Sequence, residues 1–155
     1  MTKRLHPRLD AFDLAVSRYM HRWGHFLHRV LLGLLFLWFG CLKVFGQKSA
    51  TSIIAETVYI GSPDRIVPLL GVWEALIGLC LLWRPLVRIA LLLLAIRLVG
   101  TVLALILKAD VCWTDGVWLA PTIQGQYLIK DFTLFSAAMV IGGTVREERT
   151  PHIRH

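Results

Sequence analysis

The chain has 155 residues, 56% of them hydrophobic, with a mean hydropathy of +0.63 and a formal net charge of +7. That balance excludes an ordinary soluble domain of this size, which is far more polar, and long uncharged runs point instead to a protein held in a lipid bilayer. The basic residues gather at the N-terminus, in one short turn and at the C-terminus, with no nucleic-acid-binding signature beside them, so they read as topology and contact with anionic lipid rather than nucleic-acid binding.

The first residues, 1–8, are basic. From Leu9 onward, Phe12, Val16, Tyr19, Trp23 and Phe26 recur at three- and four-residue steps, which predicts a helix. Its other face carries Arg18, His21, Arg22, His25, His28 and Arg29. A basic face opposite an aromatic one suits a membrane interface, so residues 9–25 are expected to form an amphipathic interfacial helix. No secretory signal peptide is expected: the first apolar run follows a charged stretch, and no small-residue cleavage site follows it.

The first span is expected at 26–45, about 30 Å of helix and enough to cross the hydrocarbon. Gly33 and Gly40 lie seven apart on one face, where a neighbouring backbone can come close, and Gly46 is placed to end the helix. Residues 46–66 read as a polar loop with a turn at Gly61-Ser62-Pro63-Asp64. The second span, 67–83, carries Pro68 in its first turn and a small pair, Gly71 and Ala75, beside Glu74. A tight turn, Trp83-Arg84-Pro85, leads to the third span, 86–107, interrupted by Arg97 and offering Gly100 and Ala104 as a small interface. A second loop, 108–124, holds Trp113 and Trp118, suited to the headgroup level. The fourth span, 125–144, has Ala138 and Gly142 as its small pair. No internal repeat or linker divides the chain, so residues 1–155 read as a single all-α domain, a four-helix transmembrane bundle.

Orientation follows from the lysines and arginines beside the spans. Lys3, Arg4, Arg8, Arg18, Arg22 and Arg29 precede the first, Arg84 and Arg88 lie at the tight turn, and Arg146, Arg149 and Arg154 follow the last; the other two loops hold only Lys48, Arg65 and Lys108. The positive-inside rule then places both termini in the cytoplasm of a bacterial-type inner membrane.

Charges within the apolar segments are costly and belong in the bundle interior or a watery cavity. Lys43 is expected at the outer mouth, Lys130 and Asp131 one turn into the fourth span, Glu74 two turns into the second, and Arg97 near mid-membrane with Thr101 one turn above it. These groups fall at a common depth, so one outward-opening cavity with Arg97 as its floor is expected. Asp131 is expected to face inward, and Lys130 inward or snorkelling outward. The charges read either as structural ion pairs or as a site for an anionic or quinone-like ligand or a proton relay, with Glu74 the best proton carrier.

His21, His25 and His28 share a helical face, but no acidic or cysteine ligand is interleaved, and no metal site is assigned. Cys41 and Cys112 fall on the same outer side and are candidates for a disulfide in an oxidising periplasm; Cys80 reads as a small buried apolar residue. No C-x-x-C pair, nucleotide-binding loop or nucleophile-base arrangement occurs.

Three motifs carry a resemblance. Phe39-Gly40-Cys41-Leu42-Lys43-Val44-Phe45 resembles the G-x-x-K-F signature of DoxX-like membrane proteins, Gly71-Val72-Trp73-Glu74-Ala75-Leu76-Ile77-Gly78 their G-x-x-E-x-x-x-G second helix, and Gly125-Gln126-Tyr127-Leu128-Ile129-Lys130-Asp131 the G-x-x-x-x-K-D start of their fourth. The resemblance covers residues 28–146 and is closest to the YkgB-type branch, linked with reactive chlorine and oxidative stress. The motif position held here by Cys41, and a shorter first loop, depart from that branch. The resemblance implies a four-helix bundle and, from DoxD-type relatives linked to thiosulfate:quinone oxidoreduction, a redox role with a quinone as cofactor or an oxidoreductase partner in the membrane or periplasm. Fold analogy alone does not carry function. Two other classes stay open: a non-enzymatic scaffold or assembly factor, and a small proton-coupled transporter using Glu74.

Overall fold

The computed structural model describes residues 7–147, without the side chains at 7–11, 21–22, 49–50 and 144–147. The regular structure of the described residues is helical, in six α-helices: α1 (Pro7–Val44), α2 (Lys48–Thr57), α3 (Pro63–Leu82), α4 (Val87–Leu107), α5 (Ala109–Cys112) and α6 (Ile123–Glu147). Segments within α1 and α3, and one running through the 84–86 turn into α4, are long and apolar enough to cross a membrane, which identifies a multi-pass membrane protein.

Helix α1 runs unbroken for 38 residues, about 57 Å, through both the segment expected as an interfacial helix and the first span. Phe12, Tyr19 and Trp23 on its N-terminal half are exposed. Its end is set by Gly46, which takes the left-handed conformation at φ 69°. Gly46 and Gln47 N–H groups donate back to the carbonyls of Lys43 and Leu42, the paired bonds of a Schellman closure.

Two expectations change at the next helices. The stretch 46–66 is not a plain loop: α2 forms within it, and Ile54 and Thr57, one turn apart, turn the same face inward. Helix α3 starts a turn earlier than expected. Ser62 is extended at its N-cap and Pro63 supplies the pre-set φ of a first helical residue, which leaves Pro68 in the helix interior. At the other end, the Arg29 guanidinium donates to the carbonyls of Leu81 and Leu82 at 3.2 and 2.8 Å, caring for acceptors that a helix C-terminus leaves without partners. The same cation lies 5.7 Å from the Phe26 ring centre.

The long helices pack α1 on α3, α3 on α4 and α4 on α6, with a much sparser contact closing α6 back to α1. The α1–α3 contact is built on glycine. A methyl group at Gly40 would lie 2.5 Å from the Ala75 nitrogen, and one at Gly78 would lie 2.5 Å from the Leu37 nitrogen, so only glycine lets these backbones touch. The Gly71–Ala75 pair expected as an interface sits in this seam. Gly100 does not repeat the pattern, since a methyl there would meet only the Tyr59 hydroxyl at 3.7 Å.

The interior is layered. Toward the α3–α4 turn, Leu32, Phe36, Ile77, Leu81, Leu94 and Ile141 form an apolar core. Toward α2 and α5, Ala104, Cys112 and Leu128 form a smaller one, against which Tyr59, Leu105 and Trp113 pack. The charged side chains lie between the two.

A charge ladder beside a cleft

Of the residues expected to share a site, Lys43, Glu74, Arg97 and Asp131 come together. Lys43 Nζ donates to Glu74 Oε2, and Arg97 Nη1 donates to Glu74 Oε1, so one carboxylate from α3 joins a cation from α1 to a cation from α4. Arg97 then turns its other edge to α6. Its Nε and Nη2 donate to the two oxygens of Asp131, each at 3.1 Å, the bidentate fork that only a guanidinium presents. Thr101, one turn along α4 from Arg97, donates its hydroxyl to Asp131 Oδ2 at 2.8 Å. The result is a ladder across four helices, with cations and carboxylates matched in number. Leaving water is expensive for such groups, and full pairing with hydrogen bonds offsets that cost. Among the described residues, no buried side-chain nitrogen or oxygen lacks a partner.

Local sequence explains the ladder. Gly71 has no side chain, and a methyl there would lie 2.8 Å from the Lys43 Cβ. The Lys43 stem therefore passes over α3 at Gly71 and reaches Glu74, one turn further along the same helix. Aromatic rings complete the lining: Lys43 Nζ lies 5.9 Å from the Phe39 ring centre and 5.7 Å from that of Tyr127, and the Arg97 guanidinium lies 5.7 Å from that of Phe36. Such contacts are worth about 0.5–2 kcal/mol each. Tyr127 also accepts a long hydrogen bond from Lys43 at 3.4 Å.

Two expectations about this site are corrected. Lys43 is not a hydrated residue at the mouth; its exposure is 0%. Its Cα lies near the end of α1, but its four methylenes run back into the protein toward Glu74. The site does not open toward the α2 end either, because Leu128, Cys112 and Ala104 are packed there. It opens sideways. A cavity of about 360 Å3 lies between α1 and α6, walled by Leu35, Phe36 and Phe39 on one side and by Tyr127, Thr133 and Leu134 on the other. Glu74, Arg97 and Asp131 line its floor and Lys130 its edge. Asp131 faces the interior, while Lys130 is exposed and takes no part in the ladder.

The sequence reading missed Tyr127, Phe36 and Phe39 as parts of the site, although Tyr127 falls at helical spacing from Asp131 and Phe39 from Lys43. It also missed Arg29 as a helix cap. The cysteines stay apart. Cys41, Cys80 and Cys112 are all free thiols: Cys112 is buried against α4 and α6, with its sulfur 3.9 Å from the Ala104 carbonyl oxygen, while Cys41 is half-buried on α1. The Cys41–Cys112 bond is therefore not formed. Cys80 is half-buried beside the larger core. Of the histidines, His28 is exposed, His25 is half-buried, and the His21 side chain lies outside those described. Among the described residues no group of three or more His, Cys, Asp and Glu side chains is arranged to hold a metal. Comparison of the chain with protein-family models, with curated proteins and with solved structures returns no match.

Proposed function

We propose that this is a four-span inner-membrane protein that admits a lipid-soluble ligand, through the gap between α1 and α6, to the charge ladder. The carrying observation is the cleft: apolar on both walls, charged at its floor, and about 360 Å3, within the range of ligand pockets. Its entrance lies on the flank of the helices, where a ligand arrives from the bilayer rather than from water. In this reading α6, 25 residues and about 37 Å long, is the fourth span despite Lys130 and Asp131, because Asp131 is neutralised inside the protein. Both termini are cytoplasmic, from the distribution of basic residues.

The role is redox- or stress-related, with a quinone-type ligand or a partner oxidoreductase, as the DoxX-like motifs imply. The residues of those motifs support this reading by their position: Lys43, Glu74 and Asp131 form the ladder, and Lys130 lines the cleft. The test is mass spectrometry of small molecules that co-purify in mild detergent. A lipid-soluble molecule held near one per chain, and lost when Phe39→Trp fills the cleft, is the expected result. Absence of any retained lipophile overturns the reading.

One observation favours the scaffold alternative. Both oxygens of Glu74 and both of Asp131 are engaged within the protein, as a purely structural tie requires. The scaffold predicts unchanged stability and phenotype in Phe39→Trp. A ligand site predicts a lost phenotype at unchanged stability.

A further inference from the structure

We infer that the cleft selects a ligand whose head is an anion, a carboxylate or phosphate on an apolar chain, and that Lys130 and Tyr127 hold that head. The inference rests on the reading of the cleft as a ligand site, and for the chemistry of the head it sets an anion in place of the neutral quinone that the motifs imply.

The argument is a count of unused hydrogen-bonding capacity at the cavity. Every carboxylate oxygen lining it is already an acceptor: Glu74 takes donors from Lys43 and Arg97, and Asp131 takes donors from Arg97 and Thr101. What remains is almost all donor. Tyr127 accepts from Lys43, and among the described residues its own hydroxyl proton has no acceptor. Arg97 has five N–H groups, and the ladder does not use them all. Lys130 lines the cavity and, among the described residues, has no ion pair. A head that only donates competes for the lone pairs left on carboxylate oxygens that already accept. A head that accepts finds several donors.

Charge narrows the class. The ladder is balanced within itself, so the Lys130 ammonium is left over. It lies seven residues into α6, about 10 Å along the helix axis. An ammonium at such a depth is costly unless it is neutralised or can snorkel to water. An anionic head at the cavity edge neutralises it. A neutral carbonyl, such as that of an ester or quinone, meets the same donors but leaves the charge standing. The walls of Leu35, Phe39 and Leu134 then take the first part of an apolar chain, and the rest continues into the bilayer.

The experiment uses the full chain in nanodiscs of zwitterionic phospholipid. Isotope-labelled long-chain carboxylate, its methyl ester and its alcohol are each titrated in, and the bound fraction is read by native mass spectrometry. The carboxylate is expected to bind about tenfold tighter than the ester, as a charge-assisted bond in place of a neutral one allows, and the alcohol more weakly than either. Lys130→Gln should remove the carboxylate preference without changing thermal stability, since Lys130 holds nothing else. Tyr127→Phe should weaken carboxylate and ester alike. A phosphatidylglycerol that displaces the carboxylate identifies the natural head as a phospholipid phosphate; failure to displace identifies it as a carboxylate, and both outcomes support an anionic head. Equal binding of carboxylate and ester, or a preference that survives Lys130→Gln because the side chain snorkels to water, overturns the inference and leaves the cleft standing. Binding of none of the three overturns the cleft itself.

Discussion

Along its α3 side, helix α1 offers Gly33 and Gly40 to Gly78 and Gly71, and the two backbones touch. Along its α6 side it offers Leu35 and Phe39 to Tyr127 and Leu134, and a cavity remains between them. Large side chains pack one seam loosely while absent side chains close the other. In lipid, where tails are as apolar as leucine, close backbone approach is a main source of helix association, so the glycine seam holds α1 and α3 as a unit. The other seam has few such contacts. What ties α6 to the α1–α3 pair is its packing on α4, the seating of Ala138 and Ile141 in the core, and the ladder, which passes from Lys43 through Glu74 and Arg97 to Asp131. A rigid seam beside a loosely closed one suits the proposed entry of a ligand without dissolving the fold.

The sharpest way to break that contrast is at the centre of the ladder. Glu74→Ala removes the acceptor shared by Lys43 and Arg97 and leaves two cations side by side in a dry interior. Stranding buried charge in this way commonly costs about 3–5 kcal/mol. Thermal unfolding in mild detergent should show the loss, with Asp131→Ala following at a smaller cost because Arg97 keeps Glu74. An unchanged melting temperature in both would mean that water enters the cleft and hydrates the cations. The exchange of Glu74→Lys with Lys43→Glu is expected to fail as a rescue, because the new lysine would face Arg97.

That last expectation marks the limit of what the sequence disclosed. Charges inside apolar runs were enough to find Lys43, Glu74, Arg97 and Asp131 and to group them by depth. Periodicity placed the four long helices to within a few residues, apart from the start of α3. Depth, however, is a property of the Cα, and the direction of a long side chain is not. Lys43 therefore read as a residue at the outer mouth, whereas its stem folds inward over Gly71 and its loss strands Glu74 on that side. The opening of the cavity was misjudged for a related reason. Whether a bundle gapes at its end or at its flank depends on which seam packs tightly, and the glycines show this only once the partner of each is known. Helix α2 was hidden because, among its described residues, only Ile54 and Thr57 are buried, too few for a periodic signal.

The glycine seam should break next. Gly40→Ala forces a methyl against the α3 backbone, and overpacking of this kind costs about 1–3 kcal/mol. Gly100→Ala is the control: its methyl meets only the Tyr59 hydroxyl, at ordinary contact distance, and the gain in helix propensity, about 0.5–1 kcal/mol, should show as slight stabilisation. Equal effects at the two positions would refute the idea that close approach sits at the α1–α3 seam. Arg29→Ala acts on the same seam at its far end. It leaves the Leu81 and Leu82 carbonyls without their donor at about 1–3 kcal/mol, and Arg29→Lys should recover much of the loss, because both bonds come from the one nitrogen Nη1 and an ammonium carries three donors.

The smallest effect is expected away from both seams, at the cap formed by α5 and the turn that follows it. Here Trp113 and Pro121 form an isolated bridge, and the Thr122 N–H donates to the Cys112 carbonyl at 3.0 Å, closing the loop over a thiol with 0% exposure. Burial pushes the Cys112 thiol above its ordinary value, and the carboxylate of Asp110 pushes in the same direction. The thiolate is the reactive form, so a raised value means less of it at neutral pH. Maleimide labelling of Cys112 should therefore be slow at pH 7 and accelerate as pH rises beyond the usual thiol range. Asp110→Asn should speed it only modestly, because burial is the larger cause. Gly125→Ala should speed it much more, since a methyl there collides with the Cys112 carbonyl and must lift the cap. Thermal stability in that variant should change less than in Gly40→Ala, because the cap closes one end of the molecule and the glycine seam holds two of its long helices together. Labelling of Cys112 that is fast at pH 7 in the unaltered protein would show the cap to be open in solution.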